Sequence, residues 1–365
     1  MKALILAGGF GTRLRPLSCT RPKLLFPIAN RPMLDWTLES LSKNGVDEVV
    51  LAVNYMAEAL KRYFGQAKHN VKIIYSTEKQ PLGTAGPVRK AEEILGHKEA
   101  FLVLNGDILC EINYLDLLKA HSRNKASATI VLHEVANPSR FGVVDIDKRS
   151  RIRRFVEKPK PGEAPSKLIN AGIYAVEPTV FKFIPRGVKV SIEREVFPKL
   201  ALKGELYGYR YDGLWMDIGK PNDYMQANRA ILNRIAKAHP VIGKNVEIHR
   251  TAKVVCPSII GSNAKIETEA YIGPYTSIGD GCVIKKGSRI ERSIIFPQTW
   301  IDNFSSVHGA IIGDNVIIGQ RVKIENTVIV GDSAIIHDNV TLTRGVTVCP
   351  SKEVDESVLE PRQVM

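Results

Sequence analysis

The chain opens on an apolar run, residues 2–7 (KALILA), that is too short for a helix and breaks into a glycine-rich turn, the pattern of a buried strand. Apolar runs of strand length then alternate with segments of helical period. Residues 47–53 read as a strand and 56–64 as a helix; 71–75 as a strand and 84–95 as a helix; 101–104 as a strand and 114–121 as a helix. This alternation predicts βαβ units and a mostly parallel sheet covered on both faces. From 128 to 156 the strand runs (ATIVLHEV, GVVDI, IRRFV) follow one another closely, which predicts a mixed sheet there. A helix over about 221–238 closes this part.

After Pro240 the period changes. VIGKNV, EIHRTA, KIETEA, YIGPYT, SIGDGC, VIKKGS, IIGQRV, IIHDNV and TLTRGV are six-residue units, each with an aliphatic residue near its start. A six-residue period with few helix formers predicts a parallel β-helix, three short strands to a coil, its inward side chains stacked as an apolar column. Longer spacings near 254–261, 292–302 and 307–314 read as insertions or edge deviations. The division is therefore expected at 1–240 and 241–365.

Composition adds limits. With 365 residues, 44% hydrophobic and 24% charged, the chain is a globular protein of two domains rather than a disordered or fibrous one. No apolar run approaches the roughly 20 residues a membrane span needs. Gly8, Gly9, Gly11 and Arg13 interrupt the opening run too early for a secretory signal, so a cytoplasmic location is expected. Five scattered cysteines without CxxC spacing point to neither a disulfide framework nor a zinc site.

Charge changes the picture more. Residues 241–365 net −1, whereas 1–240 carry a surplus of +14. Such a surplus attracts anions. The longest basic cluster, Lys148 to Arg154, is short, follows Asp147 and belongs to no nucleic-acid-reading module. Small phosphorylated substrates fit better than nucleic acid or membrane.

Residues 6–23, LAGGFGTRLRPLSCTRPK, follow the first strand. Gly8, Gly9 and Gly11 allow close backbone approach and present N–H groups to phosphate oxygens, and Arg13 and Lys23 add cations. Taken alone this is also a tight turn with solvated basic residues. It is neither a Rossmann fingerprint, since Leu14 stands where the third glycine belongs, nor a P-loop. The string G-G-x-G-T-R-L-x-P-L-[ST]-x-x-x-P-K resembles the signature of the sugar-nucleotide pyrophosphorylases, the sugar-1-phosphate nucleotidyltransferases. The likeness continues through QPLGTAGP (80–87), LVLNGD (102–107), RFGVV (140–144), FVEKP (155–159), INAGIY (169–174), SIEREVFP (191–198), WMDIGKP (215–221) and the repeats. It is greatest to the branch that makes GDP-mannose, which the terminal ESVLEPRQVM also resembles; Asn105-Gly106-Asp107 stands where that branch carries Asn-Ser-Asp.

The resemblance implies an α/β, Rossmann-like nucleotidyltransferase domain followed by a left-handed β-helix, and Mg²⁺-assisted transfer from GTP to mannose 1-phosphate with release of pyrophosphate. It implies Arg13, Lys23 and Lys158 as catalytic cations. Leu6, Ala7, Gly8, Gly9, Gly11, Thr12, Gln80, Leu82, Gly83 and Thr84 would bind the nucleotide, with Gly83 admitting a flat base. Gly142, Glu157, Lys158, Asn170 and Arg194 would bind the sugar phosphate, and Asp107 and Asp217 the metal. By residue type alone, Asp107 is equally a turn former, Glu157-Lys158 a solvated strand end, and Glu193-Arg194 a surface ion pair. Uridylyl or thymidylyl transfer to glucose 1-phosphate, a non-catalytic sugar-nucleotide-binding subunit, and an added acyltransferase using His308 or His337 stay open. A homo-oligomer is expected through the β-helix, whose flat faces and open end require a cap or a partner.

Overall fold

The computed structural model describes residues 1–365 apart from Tyr55 and Lys79. The residues pack as two units that do not follow chain order: Met1–Phe10 with Leu34–Asp217, and Gly11–Met33 with Ile218–Met365. Among the described residues no helix is long and apolar enough to cross a membrane.

In the first unit, strands Lys2–Leu6, Glu48–Val53, Val71–Thr77 and Phe101–Asn105 lie parallel. Ala3, Leu4 and Ile5, and Val49 through Val53, are buried consecutively rather than alternately, as a strand covered on both faces requires. Leu168–Val176 runs antiparallel to Phe101–Asn105 and to Ala128–Glu134, and Gly142–Ile146 pairs antiparallel with Ile152–Glu157, so the ten-stranded sheet is mixed where the close strand spacing predicted it. The helix read over 84–95 is two pieces, Gly86–Lys90 and Glu92–Leu95. They part at Ala91, whose ψ of 6° lies off the helical value.

In the second unit the repeats form three parallel sheets of eight, seven and six short strands, the faces of a β-helix. Strand partners are 18 residues apart at Lys265↔Val283 and Ile311↔Ile329, but 17 apart at Ser277↔Ile294 and Trp300↔Ile317. Of the three spacings read as irregular, 254–261 keeps the six-residue period, and the other two hold contractions, five residues from Arg289 to Ile294 and from Ser306 to Ile311, not insertions. Inside run columns such as Ile260, Ile278, Ile295, Ile312, Val330 and Val348. Each aliphatic side chain so buried contributes roughly 1.5–3 kcal/mol relative to exposure.

The outward positions of the eight-stranded face would ordinarily be polar. Here Ile294, Ile311 and Ile329 are nevertheless buried, because helix Pro221–Ile235 and the Gly11–Met33 segment lie over them. Phe26 meets Tyr224 and Phe296 edge-on, the Asn30 amide donates to the Ile278 carbonyl at 2.6 Å, and the Ser277 hydroxyl donates to Asn228.

Candidate active site

In the first unit Leu6 ends level with Ala52 and Asn105 on its neighbouring strands. The carboxyl end of an open α/β sheet is where loops converge on ligands. The Ala7 N–H donates to Ala52 and the Gly106 N–H to Leu6, which fixes where both loops leave the sheet. Gly8 and Gly9 follow at once. Neither has a left-handed φ; an added Cβ at Gly9 would meet nothing within 4 Å, and at Gly8 only ordinary contact with Asn54. Among the described residues nothing therefore demands glycine at these two positions.

Asp107 and Asp217 come together through strand pairing. Trp215–Asp217 runs antiparallel to Ile108–Cys110, with Asp217 opposite Ile108. The two residues, 110 apart in sequence, thereby stand one register step apart along the paired strands. No group of three or more His, Cys, Asp or Glu residues suited to a metal gathers among the described residues. Two hard oxygen donors without further protein ligands suit a divalent ion that keeps waters and takes substrate phosphate oxygens, as Mg²⁺ does.

Two of the residues expected to bind the sugar phosphate, Asn170 and Glu157, lie near the Tyr174 hydroxyl, which sequence reasoning missed. The Asn170 amide donates to it at 2.9 Å. The tyrosine is fully buried, and the carboxylates of Glu193, Glu157 and Asp107 all act on it; burial first, then those charges, hold its proton well beyond the usual range. Gly142 is opposite Glu157, and a Cβ there would lie 2.8 Å from the Glu157 carboxylate. Lys158 turns back through a φ of 51°, its Nζ 3.6 Å from Glu157. Burial, then the neighbouring Glu193 charge, push the Glu157 carboxyl above its ordinary 4.5, against the pull of Lys158 and Arg194.

Between Asn170 and Tyr174 the strand slips register against its partner, four residues opposing two, so Ala171-Gly172-Ile173 bulges outward. The Gly172 N–H donates to Asn170 Oδ1 and the Trp215 indole donates to the Ala171 carbonyl. Gly172 sits at a φ of 72° with Asn105 against it.

Three readings change. Glu193 is not a surface ion-pair partner of Arg194: it accepts hydrogen bonds from Thr84 at 2.6 Å and Ser191 at 2.7 Å, while Arg194 is exposed. The Thr84 hydroxyl, expected at the nucleotide, is engaged by Glu193 and by the Ile192 N–H. At Gly83 the crowding is internal: with a φ of 79°, a Cβ would lie 2.3 Å from the Val190 carbonyl. Gln80 and Leu82 line a cavity of about 670 Å³ with Arg89, Glu92 and Arg186, and none of the other expected site residues lines it.

The second unit holds the rest of the signature. Gly11 adopts a φ of 60°; a Cβ there would lie 3.6 Å from that of Lys23, and the Ser18 hydroxyl donates to the Gly11 carbonyl. Thr12 and Arg13 form a short 3₁₀ turn with Leu14, and the Arg13 guanidinium lies against Gly219. His308 and His337 stand on the β-helix near Glu291 and Glu353, each about half exposed.

The sequence profile of the family described as Nucleotidyl transferase matches residues 2–234, and that described as GMPPB C-terminal domain matches 254–364. Across the whole of both chains the protein is 38% identical to mannose-1-phosphate guanylyltransferase 1 of Arabidopsis thaliana and 40% identical to mannose-1-phosphate guanylyltransferase catalytic subunit beta of Danio rerio. Among solved structures, HddC from Yersinia pseudotuberculosis is similar with a TM-score of 0.55 and 30% identity, over 63% of this chain and 99% of that one. A putative glucose-1-phosphate thymidylyltransferase from Bacillus anthracis shares the fold, with a TM-score of 0.58 and 24% identity, over 63% of this chain and 94% of that one.

Proposed function

The chain belongs to the nucleotidyl transferase family, and from that premise we propose that it transfers the guanylyl group of GTP to mannose 1-phosphate, giving GDP-mannose and pyrophosphate. A phosphate oxygen of the sugar phosphate attacks the α-phosphorus in line, and pyrophosphate leaves. Both reactants are anionic, so alignment and charge neutralisation are the main requirements, and no nucleophilic side chain is needed. In this reading Arg13 and Lys23 counter the triphosphate charge, and the backbone of Leu6–Gly9, Gly11 and Thr12 binds it. Gln80 and Leu82 face the nucleoside, whereas Gly83 and Thr84 shape their loop. Lys158 holds the sugar phosphate with Arg194 at its rim, and Glu157 and Asn170 take the sugar hydroxyls beside Gly142.

The family uses a divalent metal, and we assign Mg²⁺ to Asp107 and Asp217, where it would lower the charge on the phosphates. The observation that most supports the site is the pairing that sets Asp217 opposite Ile108, beside Asp107. The same reading includes a cytoplasmic setting, a catalytic region 1–240 followed by the β-helix 241–365, and a homo-oligomer.

The test is pyrophosphate release with Mg²⁺ across four nucleoside triphosphates, each paired with mannose 1-phosphate and with glucose 1-phosphate. Dominant turnover of GTP with mannose 1-phosphate is expected. Preference for another pair would keep the chemistry and change the substrates. No release from folded protein would favour a non-catalytic binding subunit.

A further inference from the structure

The two contracted units share one corner of the β-helix, where the six-stranded face turns into the eight-stranded face. Strand Arg289–Glu291 leads to Ile294 and strand Ser306–His308 to Ile311, each one residue sooner than Lys323–Ile324 leads to Ile329. The corner residues Tyr275, Arg292, Gly309 and Thr327 stand on successive coils, all at positive φ. Backbone bonds stack them: the Arg292 N–H donates to Pro274, Gly309 to Glu291 and Thr327 to Gly309. A corner that is one residue shorter lies closer to the coil axis. Gly309 draws it in further, since it brings no side chain, and a Cβ there would lie 2.3 Å from Asn326 Oδ1. Helix Pro221–Ile235 passes alongside and presents Pro221, Met225 and Arg229, four residues apart and so on one face, to this recess. The result is a groove of about 220 Å³.

The groove collects cations and no acids. Arg229, Arg292 and His308 line it, and no carboxylate does. Among the described residues no ion pair engages either arginine. Arg229 lies over the Tyr275 ring, 4.6 Å from its centroid. A ring stacked on the flat face of a guanidinium orients it without using its in-plane N–H donors. Glu291, 3.8 Å from His308, is held instead by Arg289 through two bonds of 3.0 and 3.1 Å. The rest of the lining is amide (Asn222, Gln226, Asn326) and apolar (Met225, Ile311, Val328).

We propose that this groove is a phosphate site separate from the transfer site, and that it takes a small phosphate monoester. The dianion sits among Arg229, Arg292 and the His308 imidazole, where guanidinium groups meet phosphate oxygens with paired hydrogen bonds. The body of the ester lies on Met225, Ile311 and Val328, and the amides take its polar groups. At about 220 Å³ the groove is smaller than the roughly 300–1,000 Å³ of sites for drug-sized ligands, which excludes a nucleoside triphosphate. None of the residues expected to bind the substrates of the transfer lines it. A ligand held there ties the first two turns of the helix to the corner of the coils.

The test follows the His308 imidazole by NMR in the full-length chain labelled at histidine, with its resonance assigned by its loss in His308→Gln. Inorganic phosphate and glycerol phosphate are added without Mg²⁺ at constant ionic strength. Both are expected to move the resonance saturably, the ester at lower concentration, and sodium chloride to leave it in place. Arg229→Gln and Arg292→Gln are each expected to weaken the response about ten- to a hundredfold, the loss of one charged hydrogen-bonding partner. Both side chains are exposed, so circular dichroism and thermal midpoint should stay those of the wild type. Lys23→Ala, which impairs the phosphate site proposed for the transfer, is expected to keep the response. A response that is absent, that chloride reproduces, or that survives both arginine substitutions would overturn the site. Its loss in Lys23→Ala would assign it to the transfer site and overturn this one as well. Equal affinity for phosphate and the ester would overturn the ester as its ligand.

Discussion

At the scale of single residues, two glycines make opposite predictions. Gly83 is held at a positive φ against the Val190 carbonyl, so Gly83→Ala is expected to destabilise by about 1–3 kcal/mol from backbone strain and the shift it forces, read as a lower thermal midpoint. Gly9 has open space and no left-handed φ, so Gly9→Ala is expected to leave stability within about 1 kcal/mol of wild type. It should instead raise the KM for the triphosphate, because in the proposed reading the methyl group would stand where phosphate approaches the backbone. Equal KM values would remove Gly9 from the site. Glu157 supplies a pH argument. Its carboxyl is raised by burial and by Glu193, so the ionised form, which is proposed to accept hydrogen bonds from sugar hydroxyls, is lost at a higher pH than an ordinary glutamate would allow. The acid limb of kcat/KM for mannose 1-phosphate is expected to carry this group, and Glu157→Gln to remove that limb. Losing a charged hydrogen bond costs about 1.5–3 kcal/mol, roughly ten- to a hundredfold in kcat/KM. Stability should move the other way: a raised carboxyl penalises the fold above its titration, so Glu157→Gln is expected to raise the thermal midpoint at neutral pH.

At the scale of elements, what the sequence discloses depends on whether local pattern or tertiary pairing sets it. The parallel strands and the six-residue repeats were legible because burial on both faces and a fixed period write themselves into consecutive side chains. The break at Ala91 and the two five-residue units were not, since a one-residue contraction leaves the aliphatic pattern nearly intact. The Asn170–Tyr174 bulge and the Tyr174 hydroxyl were hidden for another reason: a strand's register slip depends on its partner. INAGIY showed small residues, which signal room, but not that the tyrosine would stand among Glu157, Glu193 and Asp107. The pairing of Asp107 and Asp217 likewise exists only through the Ile108–Cys110 and Trp215–Asp217 strands. If both residues hold the metal as proposed, Asp107→Ala and Asp217→Ala should each lower turnover at least roughly a hundredfold. Each should also abolish the rise in thermal midpoint that Mg²⁺ with GTP produces in the wild type. Retention of that rise in either variant would exclude the residue as a ligand.

At the scale of the whole molecule, the repeats and the signature segment are one packing problem. Arg21, two residues before Lys23, bonds both Asp314 and Asp332 on successive coils of the β-helix, and Thr20 donates to Asp332 at 2.6 Å. The Arg21 guanidinium also lies over the Phe296 ring. One cation thus serves two largely buried carboxylates, and burial, with the Asp332 charge beside it, keeps Asp314 above its ordinary value despite the arginine. The period of the repeats could not disclose this, because the aspartates occupy ordinary turn positions and their partner lies some 300 residues earlier. Arg21→Ala strands both carboxylates, a change that typically costs about 3–5 kcal/mol when a buried pair is broken. Asp314→Asn leaves the Arg21–Asp332 pair and removes the surplus charge, so its loss should be much smaller. The sign with pH follows from the same charges. Protonating the stranded carboxylates relieves their burial, so the deficit of Arg21→Ala relative to wild type should shrink as pH falls through the acid range, and urea unfolding at several pH values would show it. Activity should follow the anchoring rather than the charge. Turnover at neutral pH is expected to fall sharply in Arg21→Ala, where the segment carrying Arg13 and Lys23 loses its hold on the coils, and to persist in Asp314→Asn. Equal losses in the two variants would mean that the second carboxylate, and not the anchored arginine, holds the segment in place.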